Sequence, residues 1–184
     1  MFALVMLFTA VVQAPATDSQ GLIFPDARRA GYHVWRLGRS DGYKETKLTD
    51  LRWRVHAQAG RGAIQDLALL SMLYRSAILA QAAGHSRFYP IKLEIENQLA
   101  SNYVVSNQVY GQNVYSTIVL HDNAASPPPC EAAPKWAENC RDQSADEVIA
   151  TIGPLLGQDA AAAAIEIETA RGKYYARVAA NPSR

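Results

Sequence analysis

Four histidines, at 33, 56, 85 and 121, are the first residues to test for chemistry. None stands in the H-x-x-x-H or H-E-x-x-H spacing that would put two ring nitrogens on one helix face around a metal. The paired carboxylates Glu94/Glu96 and Glu166/Glu168 are spaced i, i+2, so on strands each pair would share a face. Such a pair could act as acid and base, but a solvated strand face accounts for it as well. Ser71 and Ser76 fall inside an apolar helical stretch, where a hydroxyl bonds the preceding turn. No G-x-S-x-G elbow or phosphate-binding glycine loop occurs. No catalytic residue, metal ligand or cofactor is therefore assigned. One enzymatic alternative stays open, a small hydrolase or isomerase that would join His121 to a carboxylate such as Glu94.

Cys130 and Cys140 are the only two cysteines, ten positions apart. A redox pair would be expected as C-x-x-C, and a metal site would need more ligands close by. The spacing instead predicts one local disulfide, formed in an oxidising compartment.

The charge is uneven. Residues 28–61 carry nine Arg/Lys against three acids, whereas 62–184 carry nine against twelve, within a chain of net charge +1. The near-neutral total argues against a nucleic-acid binder. The basic segment nevertheless offers anion contacts at Arg28, Arg29, Arg36, Arg39, Arg52 and Arg54, suited to anionic envelope polymers. Tyr103, Tyr110 and Tyr115 add an aromatic surface of the kind that interfaces use.

The elements that must position these residues follow from periodicity. The apolar run Phe2–Val12, followed by small residues up to Ala16, has the form of a secretory signal peptide. Export, to the periplasm or the exterior, and no membrane span after cleavage are expected from it. Residues 17–45 read as irregular. Residues 46–157 read as one α+β domain that includes the disulfide loop 130–140, and 158–184 as a C-terminal extension. The alternation from Leu51 to Ala57 predicts a strand, and the Pro- and Gly-free stretch 63–83 predicts a long helix ending at Gly84. A second strand is expected over 88–96. Strands at 103–110 and 114–121 are expected to form a hairpin around Gly111-Gln112-Asn113. Ser144-Ala145-Asp146-Glu147 is a capping box opening a short helix to about Leu156. Residues 160–178 support either a helix or a hairpin. The expected fold is α+β, a small, mostly antiparallel sheet packed on the 63–83 helix.

That helix is apolar nearly all round. Ile64, Leu67, Leu70, Tyr74 and Ile78 would face a sheet, leaving Leu69, Met72, Leu73 and Leu79 on the other side. Either the C-terminal segment covers them or they meet a partner, another envelope protein or a second copy of the chain. Arg75, within this stretch, needs a carboxylate or carbonyl partner if buried. Glu94 and Glu96 are the candidates if their strand turns that way.

The segments Gly42-Tyr43-Lys44-Glu45-Thr46-Lys47-Leu48, Arg52-Trp53-Arg54-Val55, Leu73-Tyr74-Arg75-Ser76-Ala77 and Ala83-Gly84-His85-Ser86-Arg87-Phe88 resemble a family of small proteobacterial envelope proteins, many of them lipoproteins. The resemblance spans about residues 42–91. It implies an envelope location and an α+β fold, with no activity to carry over. The lipid-attachment cysteine of lipidated members has no counterpart here, and the helix start differs at Gly60-Arg61 and Ala63. The expectation drawn from all of this is an exported, non-enzymatic binding or interaction module.

Overall fold

The computed structural model describes Tyr32, Val34 and residues 41–60, 66–99, 109–123 and 129–175. The signal-like segment, Arg28, Arg29, Arg36, Arg39, Tyr103 and the side chain of Tyr110 lie outside the described residues.

Alternation of apolar and polar residues builds the sheet. β1 (Gly42–Lys47) and β2 (Arg52–Ala59) form an antiparallel hairpin, with Tyr43 opposite Ala57 and Lys47 opposite Trp53. β3 (Arg87–Leu99) and β4 (Val109–His121) form a second antiparallel pair, and β4 also lies against β2. β5 (Glu131–Ala132) runs parallel to β3, and β6 (Gln143–Ser144) runs antiparallel to it, giving the order β1-β2-β4-β3-β5. The α+β class expected from sequence is what forms.

Two strand expectations change. β1 begins at Gly42, inside the segment read as irregular, because Tyr43 alternates inward with Glu45. Gly111 is not a turn residue. β4 runs straight through it from Val109 to His121, with β3 as an antiparallel partner, while 103–108 of the expected first hairpin strand lie outside the described residues. Glycine lowers strand propensity, but pairing on both flanks of β4 outweighs that local penalty.

A bulge in β3 decides which residues reach which face. Phe88 and Pro90 are buried, yet beyond the irregularity between Pro90 and Lys92 it is Leu93 and Ile95 that turn inward. The extra residue, Ile91, reverses the phase of the alternation and sends Lys92, Glu94 and Glu96 outward. Pro90 lies between the stretches of β3 that pair with β6 and with β5. Its missing N–H therefore breaks no ladder on that side.

α1 (Leu67–Ala83) packs across the inner face of β1–β4. It ends where expected, at Gly84 with φ 83°, whose N–H reaches the Ala80 and Gln81 carbonyls. The left-handed backbone there suits glycine and closes the helix. The disulfide loop contains a 3-10 turn (Pro134–Cys140). α2 (Ala145–Ile152) opens on Ser144, whose hydroxyl accepts from the Glu147 N–H as the capping box requires. A second 3-10 turn, Gly153–Leu156, leads into α3 (Ala160–Tyr174). Of the two readings of the tail, the helix is the one that forms.

α2 and α3 lie against α1 on the side away from the sheet. Met72 and Leu79 are fully buried, and Leu69 and Leu73 are only 7% exposed. These four residues, expected as a possible partner surface, are therefore core. The apolar surplus of the helix is consumed within the chain, as a helix apolar all round requires.

Candidate functional site

Three groups of polar side chains stand out, and their burial separates their roles. The first is an ion cluster under α3. The Arg75 guanidinium forks onto Glu45, with Nη2–Oε1 3.0 Å and Nε–Oε2 3.2 Å, and its Nη1 donates to Glu166 at 2.9 Å. Side-chain exposure of Arg75 and Glu45 is 5% and 4%. The Tyr174 hydroxyl donates to Glu45 at 2.7 Å, and the Tyr32 hydroxyl to Glu166 at 2.6 Å. The Tyr43 ring lies under the guanidinium at 4.8 Å. Planarity lets arginine stack on a ring while its edge remains engaged by carboxylates. Burial alone pushes the Glu45 carboxyl upward. The Arg75 guanidinium, with Tyr174 and Lys173, outweighs it and holds the group below the ordinary carboxylate value. Burial likewise pushes the Tyr43 and Tyr74 hydroxyls up to about 12.

The partners expected for Arg75, Glu94 and Glu96, are thus not its partners. The bulge turns them to the opposite face of the sheet. Glu166 and Glu168 also do not share a face, because on a helix i, i+2 side chains diverge. Glu166 points in to Arg75, while Glu168 pairs with Arg171. This cluster joins β1, α1 and α3, and its charges are satisfied by one another. Its chemistry is that of a structural ion pair.

The second group lies where β3 and β4 meet the disulfide loop. His121 Nε2 is 2.9 Å from Asp142 Oδ1, and Arg87 Nε donates to Asp142 Oδ2 at 2.8 Å. His121 Nδ1 faces the Asn123 carbonyl. Nearby, His85 Nδ1 is 2.9 Å from Asp122 Oδ2, whose other oxygen accepts from the Ser86 N–H. Asp122 is held below the usual carboxylate range by His85 and the Ser86 amide. His121 therefore does meet a carboxylate, though it is Asp142. Glu94 stands opposite Tyr115, six positions along β4 and so about 20 Å away. Both nitrogens of His121 thus face oxygens of the protein itself, Asp142 Oδ1 and the Asn123 carbonyl. The arrangement fastens the chain just after Cys140 to the sheet. The Cys130–Cys140 disulfide expected from sequence closes the same loop, with Cα atoms 5.9 Å apart.

The third group is the outer face of β1–β4, which no described helix covers. Arg52, Arg54, His56 and Gln58 on β2 alternate outward, beside Lys44 and Thr46 on β1. Tyr115, Thr117 and Val119 face out from β4, and Lys92, Glu94 and Glu96 from β3. Arg54 and Lys92 are both paired in register with Thr117, from its two sides. Two strand spacings put their Cα atoms about 10 Å apart. Between them lies a groove of about 280 Å³, lined by Arg54, Lys92, Glu94, Tyr115, Ser116 and Thr117. The His56 ring stacks on Tyr115 with centroids 4.2 Å apart and planes within 6°. Burial and Lys44 push the His56 ring below its ordinary value, against weaker opposing effects of Asn113 and Glu96. Lys92 pairs with Glu94 at 2.9 Å, which raises the lysine. Among the described residues, Arg52 and Arg54 make no ion pair.

Of the residues singled out from sequence, Arg52, Arg54 and Tyr115 are therefore brought together on one face. Lys92 and Thr117 complete the groove and were not singled out. Among the described residues, no group of three or more His, Cys, Asp or Glu side chains is placed to hold a metal ion, and no single helix is long and apolar enough to cross a membrane. The chain matches no protein-family model, and comparison with curated proteins and with solved structures returns no match.

Proposed function

We propose that the protein is an exported, non-enzymatic binding module whose ligand face is the outer surface of β1–β4. The observation that carries this reading is the position of Arg54. It lines a groove on the sheet face that no described helix covers, across Thr117 from Lys92, without an ion-pair partner among the described residues. Arg54 and Lys92 against the single Glu94 carboxylate leave the groove lining with a net positive charge, which favours a ligand bearing negative charge. Export is supported by the disulfide, since such bonds persist in oxidising compartments. It also accords with the envelope-family resemblance over residues 42–91. The helix-borne partner surface has no place in this reading, because α2 and α3 already occupy it.

Salt-gradient elution from a phosphate-bearing cation-exchange matrix tests the face. The pair Arg52→Glu with Arg54→Glu should elute at clearly lower salt than an equal charge change at the exposed Lys135 and Arg141. Equal shifts for the two variants, or retention indifferent to salt, would remove the sheet face from the proposal.

A further inference from the structure

We infer that the ligand of this groove is an acidic glycan chain, read by Arg54 and Lys92 as its anion contacts and by Tyr115 as its ring contact; this rests on the reading of the outer sheet as the ligand face. Three features of the groove converge on that chemistry. Arg54 and Lys92 flank Thr117 from the two neighbouring strands, their Cα atoms about 10 Å apart, so their side chains can meet charges spaced along a single extended chain. The lining between them offers the Thr117 hydroxyl and the Glu94 carboxylate. Those groups donate to and accept from the hydroxyls of a sugar ring. The Tyr115 ring is braced from behind by His56, which fixes it as a flat apolar plate against which a sugar's C–H face can lie.

A bilayer surface would engage the cations but would make no use of the Thr117 hydroxyl or of the braced Tyr115 ring. The bulge at Ile91 bears on the same point. Without the phase change, Lys92 and Glu94 would face α1, and the groove would lose one wall. Arginine supplies a planar fork for a carboxylate or phosphate, and lysine a point charge held in place by Glu94.

Titration calorimetry of the full chain with polygalacturonate as the acidic glycan probe tests the inference. Dextran serves as a neutral glycan, and vesicles containing anionic phospholipid serve as a membrane surface. We expect polygalacturonate to bind, with Kd raised about tenfold by Arg54→Ala or by Lys92→Ala, the size of one lost charge-assisted hydrogen bond. Tyr115→Phe should bind nearly as the parent does and Tyr115→Ala should not, which separates the ring from the hydroxyl. Arg141→Ala should leave Kd unchanged. Circular dichroism of each variant identifies any that fails to fold, and the exposed Arg54 and Lys92 give a readout independent of Tyr115.

Polygalacturonate binding that ignores both cation substitutions would overturn the subsite. Binding of vesicles without polygalacturonate would overturn the glycan and make the ligand a membrane surface. No binding of any probe, with the matrix-elution difference intact, would overturn the glycan and leave the sheet face standing. Loss of that elution difference as well would take both readings down.

Discussion

Arg75 shows how much one buried charge depends on its neighbours. Its guanidinium and the Glu45 carboxylate are almost fully enclosed, so removing either leaves an uncompensated ion. Glu45→Ala should cost about 3–5 kcal/mol in urea unfolding, the usual range for breaking a buried pair. Glu166→Ala should cost less, because the Glu166 side chain is 22% exposed and water can take over part of its role. The same pair sets a pH dependence. Glu45 is depressed in the folded state, so its contribution is complete above the ordinary glutamate value of about 4.3 and is lost as pH falls through the folded value. The urea midpoint should therefore drop on acidification below about pH 4.3, and Glu45→Gln should flatten that part of the curve. The need for a partner was legible in the sequence, because an arginine in an apolar helix must have one. Which carboxylates would serve was not. Glu45 and Glu166 are 30 and 91 positions away, and only the packing of β1 and α3 on α1 brings them in.

At the level of elements, long regular segments were readable and turns were not. α1, β2 and the capped α2 carry their period and their caps locally, so each stands within a few residues of its expected place. The β3–β4 pairing escaped because Gly111 mimics a turn, and β1 escaped because only its first two residues are fully buried. The i, i+2 spacing of Glu166 and Glu168 suggested a strand face that the helix α3 does not have. One contact fixes how α2 leads into α3. A Cβ on Gly153 would come within 3.0 Å of the Gln158 carbonyl and 3.2 Å of the Tyr74 ring. Gly153→Ala should thus destabilise by about 1–3 kcal/mol, as overpacking does, measured by thermal unfolding. The disulfide loop allows a second expectation. Closing so short a loop should be worth about 2–3 kcal/mol. The Cys130→Ser, Cys140→Ser double variant should lose that amount in urea unfolding, and reductant should then have no further effect on it.

For the molecule as a whole, the two sides of the sheet have opposite characters. Its inner face meets α1, which α2 and α3 cover in turn, so three layers bury the apolar surplus. Its outer face carries the stacked His56–Tyr115 rings and the Arg54–Lys92 groove. The basic character of the first third of the chain was visible in composition. That Arg54 would be joined by a lysine from an overall acidic region was not, since it depends on the bulge that turns Lys92 outward. Amide chemical-shift mapping during titration of the full chain with a short oligogalacturonate tests most directly whether this outer face binds the ligand. The expected result is a contiguous set of shifts over 52–58, 92–96 and 113–119, with α2 and α3 unmoved. Shifts centred on α2 and α3, or none at any ligand concentration, would contradict it.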